Sequence, residues 1–168
     1  MSDSGERKKR ANKLEKDLAK MLDISRVPAS GAIGHLKGDL VCKDYLIDSK
    51  NTEKNTISLT LVDLIKIYRE GSQVNRRGHL ILTFWEHDSH WGVVPERDLD
   101  GEFFVANIVA NKSKSISHSY LLTNSKKASK KGLDLKVLVH FKTVPLGIPN
   151  KWSIISLKNY KETFIDVV

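Results

Sequence analysis

Apolar residues recur every three or four positions at Ala11, Leu14, Leu18, Met21 and Leu22, which predicts an amphipathic helix over residues 4–23 with Ser4 as its N-cap. The segment that follows, SRVPASGAIGHLKG (25–38), has no such period. Its proline and three glycines predict a loop or an irregular strand. In GDLVCKDYLIDSK (38–50), Leu40, Val41 and Cys42 form one apolar arm and Tyr45, Leu46 and Ile47 a second, a β-hairpin bent at Lys43-Asp44. Beyond it, ISLTLVDLIKIYREG returns to helical spacing and predicts a helix over 58–71, capped by Ser58 and stopped near Gly71. HLILTFWEHD (79–88) reads as a strand, and HWGVVPERDL (90–99) as its partner across a short turn. EFFVANIVA and KVLVHFKTV are strands on either side of a basic loop, while the tail from Lys151 fits either period. No internal repeat and no long linker is evident. The order of elements predicts an α/β fold, a central mixed sheet flanked by helices.

Composition narrows the class. The chain of 168 residues suits one domain, 1–168, with a core over 10–98 and a β-rich basic extension over 99–168. No run of apolar residues is long enough to span a membrane, so no membrane partner is expected. The N-terminus lacks an apolar signal core, and the single cysteine, Cys42, excludes an internal disulfide framework, so an intracellular, cytoplasmic location is expected. A net charge of +8 points to a polyanionic partner. The excess is local: residues 1–100 hold 17 Lys/Arg against 16 Asp/Glu, and residues 101–168 hold 11 against 4. Lys126, Lys127, Lys130 and Lys131 fall in the acid-free stretch 111–132 and are the candidate DNA-backbone contacts.

The hairpin carries the candidate chemistry. A two-residue turn at Lys43-Asp44 sets Val41 opposite Leu46 and Asp39 opposite Asp48, with Lys50 on the face of Asp48. Opposed carboxylates repel and raise each other's pKa unless a cation lies between them. A hard divalent ion, Mg²⁺ with Mn²⁺ able to substitute, is the expected guest at Asp39 and Asp48. Lys50 would assist an attacking water, and Glu15, at the edge of the first helix's apolar stripe, would complete or support the site. Of the acid-x-Lys triplets in the chain, only Asp48-Ser49-Lys50 combines a strand, an upstream aspartate after glycine and a preceding helix bearing a glutamate.

KLEKDLAKML, RVPASGAIGHLKGDL and YLIDSK together resemble the PD-(D/E)xK nuclease superfamily, and within it the archaeal and phage Holliday-junction resolvases. The matching positions are Glu15, Arg26, Ser30-Gly31, Asp39, Asp48 and Lys50, across roughly residues 10–98. The resemblance implies a restriction-endonuclease-like fold, Mg²⁺-dependent cleavage of branched DNA, and a homodimer that cuts two strands symmetrically. It also makes Arg26, Ser30, Gly31 and Lys37 phosphate-binding candidates beside the metal. Asp48 stands where glutamate is usual, and Gly38 where proline often stands. Two alternatives are carried: a restriction-type, nicking or repair nuclease for linear or single-stranded DNA, and a non-catalytic nucleic-acid-binding module. His87 and His90 read as hairpin-tip residues rather than a zinc pair, since no cysteine lies near them. Trp85 and Trp91 read as packing across the strand pair.

Overall fold

A computed structural model describes residues 3–26 and 39–167. Helix α1 (Asp3–Leu22) leads into the two-residue strands β1 (Ser25–Arg26) and β2 (Leu40–Val41) and the long strand β3 (Tyr45–Thr52). Then come β4 (Thr56–Thr60), α2 (Leu61–Gln73), β5 (Arg77–Phe84) and β6 (Ser89–Pro95). The C-terminal part adds β7 (Phe103–Ala110), β8 (Ser113–Ser117), α3 (His118–Lys130), β9 (Asp134–Phe141), β10 (Lys151–Ser156) and the short α4 (Leu157–Tyr160), which continues as a π turn.

The protein is α/β with one central mixed sheet of eight strands, in the order β1-β2-β3-β5-β6-β10-β9-β7. The pairs β3–β5 and β7–β9 are parallel and the other pairings antiparallel; β4 and β8 form a separate two-stranded ribbon. On one face, Leu14, Leu18 and Leu22 of α1 and Tyr160 after β10 cover Ile47, Ile81, Val94 and Ile155. On the other, Leu64 of α2 and Leu121 of α3 cover Leu80, Leu82, Val137, Val139 and Ile154. Residues 99–168 are thus part of the same sheet rather than an appendage to it.

Three expectations are corrected. The predicted helix cap at Ser58 lies in β4, where Ile57 and Leu59 alternate inward; the cap is Thr60, whose hydroxyl accepts the Asp63 N–H at 3.1 Å. Alternation wins over helical period until Leu61, Leu64, Ile67 and Gly71 begin a buried stripe. The basic loop is β8 and α3: Ser117 accepts the Tyr120 N–H at 3.0 Å, and His118, Leu121 and Ala128 bury one side of the helix. Thirdly, Met21, expected inside, is 39% exposed, because the α1 stripe advances by four from Leu14 to Leu18 to Leu22.

Two close approaches seat α2 over the sheet. A Cβ placed on Gly78 would stand 2.0 Å from the Ile67 carbonyl oxygen, and one on Gly71 would stand 2.7 Å from the Gly78 nitrogen. No side chain fits between these backbones, so α2 rides directly on β5 and close to the end of β3.

Candidate active site on the first hairpin

The hairpin pairs in the expected register, Val41 with Leu46 and Leu40 with Ile47, closed by a Cys42 N–H to Tyr45 carbonyl bond of 3.0 Å. At its open end the ladder departs from regularity. The Asp39 N–H donates to the Ile47 carbonyl at 2.9 Å, so Asp39 is not squarely opposite Asp48. Its carboxylate turns along the strand and accepts from the Ser49 N–H at 2.9 Å and the Ser49 hydroxyl at 2.8 Å. Locally, β2 begins at Leu40, and the Ser49 N–H further along β3 goes to the Asp39 carboxylate rather than to a ladder carbonyl.

Asp48 and Lys50 share one face, the face under α2. Asp48 pairs with Leu80 and Lys50 with Leu82 in the parallel register, and both leucines belong to the core beneath α2. Lys66 Nζ stands 3.6 Å from Asp48 Oδ2 and 3.9 Å from Glu70 Oε1. Lys50 Nζ donates to Asp63 Oδ2 at 2.8 Å and to the Ser58 carbonyl at 2.6 Å. Asp63, Lys66 and Glu70 therefore form a charged stripe on α2 above the strand, and none of them was picked out from the sequence. Their spacing of three and four is the signal that could have found them.

Glu15 approaches from the α1 side of the sheet. Arg26 donates to its carboxylate at 3.0 Å and also bonds Asn12. Arg26 is thus paired with protein groups, and its Nε is buried without a partner. Burial raises the Glu15 pKa; the Arg26 hydrogen bond lowers it but does not cancel the rise, and the Asp39 charge adds to it.

The electrostatics of Asp48 are the most distinctive feature. Burial first, and then the negative charge of Asp39, push its pKa up to about 6, against the opposing pull of Lys66. The Lys66 amine is in turn held above its usual range by the Asp48 charge. Glu70 Oε2 is buried and has no hydrogen-bond partner. Asp63 behaves oppositely: burial works against its charged form, but Lys50 and Thr60 donate to it and the pKa falls.

Among the described residues, no group of three or more His, Cys, Asp or Glu side chains forms a ready-made metal-holding set. What the side chains do present is a deficit of positive charge. Asp48 feels the negative charges of both Asp39 and Glu70, Lys66 is the amine that opposes them, and Glu70 Oε2 has no hydrogen-bond partner. An oxygen-only donor set with surplus negative charge suits a hard divalent cation.

No protein-family model, no curated protein and no solved structure matches this chain. The candidate site therefore rests on its own geometry. Lys126, Lys127, Lys130 and Lys131 lie exposed at the C-terminal end of α3 and just beyond it. Ser30, Gly31 and Lys37 lie outside the described residues. His87 and His90 serve different neighbours. His87 stacks on His118 with centroids 4.1 Å apart, whereas His90 bridges Thr83 at 2.7 Å and Asp88 at 2.9 Å. Trp91 is buried, and Trp85 donates to Asn51 at 2.8 Å. Among the described residues, no helix is long and apolar enough to cross a membrane.

Proposed function

We propose that this chain is a Mg²⁺-dependent endonuclease that hydrolyses DNA phosphodiester bonds, with a restriction-endonuclease-like core and branched DNA, such as a four-way junction, as its preferred substrate. One observation carries the reading: Asp48, partly buried within the fields of Asp39 and Glu70 and with its pKa at about 6, is two residues from Lys50 on the same strand face. A fold gains no stability from such crowding unless a cation joins it, and buried groups perturbed in this way concentrate at functional sites.

Asp39 and Asp48 would hold the ion, Glu70 would add an oxygen once Lys66 swings aside, and Glu15 would support Asp39 from the α1 side. When bound, the ion would supply positive charge to a phosphate oxygen and acidify a water. The protein's own groups do the rest. Asp63 holds the Lys50 amine near the strand face, from which Lys50 orients the attacking water. The water oxygen bonds to phosphorus and loses its proton through the carboxylates to solvent. One ester P–O bond breaks, and the departing oxygen takes up a proton. The products are a phosphomonoester and a hydroxyl. Lysines on α3 hold neighbouring phosphates.

The test compares a four-way junction, linear duplex and single-stranded DNA, each with and without Mg²⁺. Cleavage should require the ion, proceed fastest on the junction, and fall at least about 100-fold in Asp48→Asn and Lys50→Ala while DNA binding survives. Faster cutting of linear DNA would move the assignment to a restriction-type or repair enzyme. Salt-dependent binding with no hydrolysis under any condition would leave only a nucleic-acid-binding module.

A further inference from the structure

The strand order β3-β5-β6-β10-β9-β7 reads the same from either end. β3 (8 residues), β4 (5), α2 (13) and β5 (8) are matched in length by β7, β8, α3 and β9. Pairing registers fix the correspondence. Leu80 pairs with Asp48 and Val93, and Val137 with Ala106 and Ile154, so Asp48 corresponds to Ala106 and Val93 to Ile154. These last two are themselves paired at the β6–β10 seam. In the ribbon, Ser58 pairs with its own counterpart Ser115. A pseudo-two-fold axis normal to the sheet passes through both pairs. It carries Trp91 onto Trp152, Phe84 onto Phe141 and Leu64 onto Leu121, all buried. The two units repeat one arrangement of elements, although no repeat was evident from the sequence.

The second unit keeps the framework but not the acids of the site. Asp48, Lys50, Asp63, Lys66 and Glu70 become Ala106, Ile108, Tyr120, Thr123 and Lys127. Where Lys50 meets Asp63, the counterparts Ile108 and Tyr120 line an open hollow of about 390 Å³. On the same sheet face as the first site, Lys126, Lys127, Lys130 and Lys131 stand exposed, and among the described residues none of them is in an ion pair.

We infer that the chain is a pseudo-dimer in which the first unit cuts and the second, lacking the acids of the site, grips the DNA through its lysines, so that one molecule nicks one strand. This rests on the nuclease reading above. The strands of duplex DNA are related by two-folds normal to its axis, and two-fold proteins dock on them in register. A protein with this pseudo-symmetry presents one unit to each strand, about 24 Å apart across five inter-strand steps from β3 to β7. Only one unit holds the reacting groups. Water adds to phosphorus on one strand, one P–O bond breaks, and the other strand is left intact. The homodimer implied by resemblance would place two acidic sites on the DNA; here the two-fold partner is already within the chain.

The experiment is supercoiled plasmid with Mg²⁺ over a 100-fold range of protein, with sedimentation at the same concentrations. Open circles should accumulate first, at a rate proportional to a sedimenting monomer. Quadruple Lys→Gln substitution at 126, 127, 130 and 131, measured in the Asp48→Asn protein, should lower the slope of log K against log salt by as much as about 0.9 per lost phosphate contact. Linear DNA as the first product, or a rate rising with the square of concentration, would overturn the inference and leave the nuclease intact. An unchanged salt slope would overturn the role given to the second unit. Failure to cut the plasmid by a protein that cuts the four-way junction would overturn this inference alone, and cleavage of neither would overturn the nuclease reading with it.

Discussion

Removing the Asp48 charge should stabilise the metal-free protein. In the fold the Asp48 pKa is about 6, against 3.8 for the unperturbed group. Well below pH 3.8 the side chain is protonated in both states and contributes nothing. Between pH 4 and 6 the folded state binds a proton that the unfolded chain has released, so stability falls as pH rises. Above pH 6 the full difference persists as a cost. A separation of about two pKa units corresponds to about 3 kcal/mol at pH 7. The side chain is only 20% exposed, so solvent screens little of it. Asp48→Asn should therefore raise the Tm in EDTA by roughly 6–12 °C at pH 7 for a chain of this size, and by nearly nothing at pH 4. Calorimetry at the two pH values checks both figures. A Tm that falls at pH 7, or a gain of equal size at pH 4, would refute the electrostatic account of the site.

Mg²⁺ at about 100 times its Kd should stabilise the wild type by about 2.7 kcal/mol and leave Asp48→Asn unmoved, as read by thermal shift. Asp63→Asn frees Lys50; stability should change by less than about 1 kcal/mol, because both partners are partly exposed, while cleavage falls by up to about 100-fold through misplacement of the amine. Gly78→Ala puts a methyl 2.0 Å from the Ile67 carbonyl and should cost about 3 kcal/mol in urea unfolding, with a matching loss at Gly92→Ala, where Tyr160 lies 2.6 Å away.

The hairpin and its register were legible because apolar alternation on both arms leaves one pairing that buries Leu40, Leu46 and Ile47 together. The proximity of Asp39 and Asp48 followed from it. The stripe Asp63, Lys66, Glu70 was missed because a polar helix side ordinarily faces water; only the Gly71–Gly78 contact brings it down over β3. Arg26 was expected at phosphate and is paired with Glu15 across a fold-distant contact that no local spacing reports. Helix α3 was hidden by its composition, since a thin apolar stripe among lysines and serines looks like a loop until a sheet is set against it. The repeat of elements was hidden for a related reason. Its two units share a few buried positions and almost none of the exposed ones, and their β5–β6 and β9–β10 connections, 85–88 and 142–150, differ in length.

The seam at Val93 and Ile154 sets a rule for any shortened form of this chain. A fragment ending at Leu99 would carry β6 as a bare margin, with a row of amides and carbonyls seeking a neighbour. The geometry that closes that margin is a half-turn rotation, so such fragments would associate in pairs through it, and each pair would then possess two acidic hairpins where the intact chain has one.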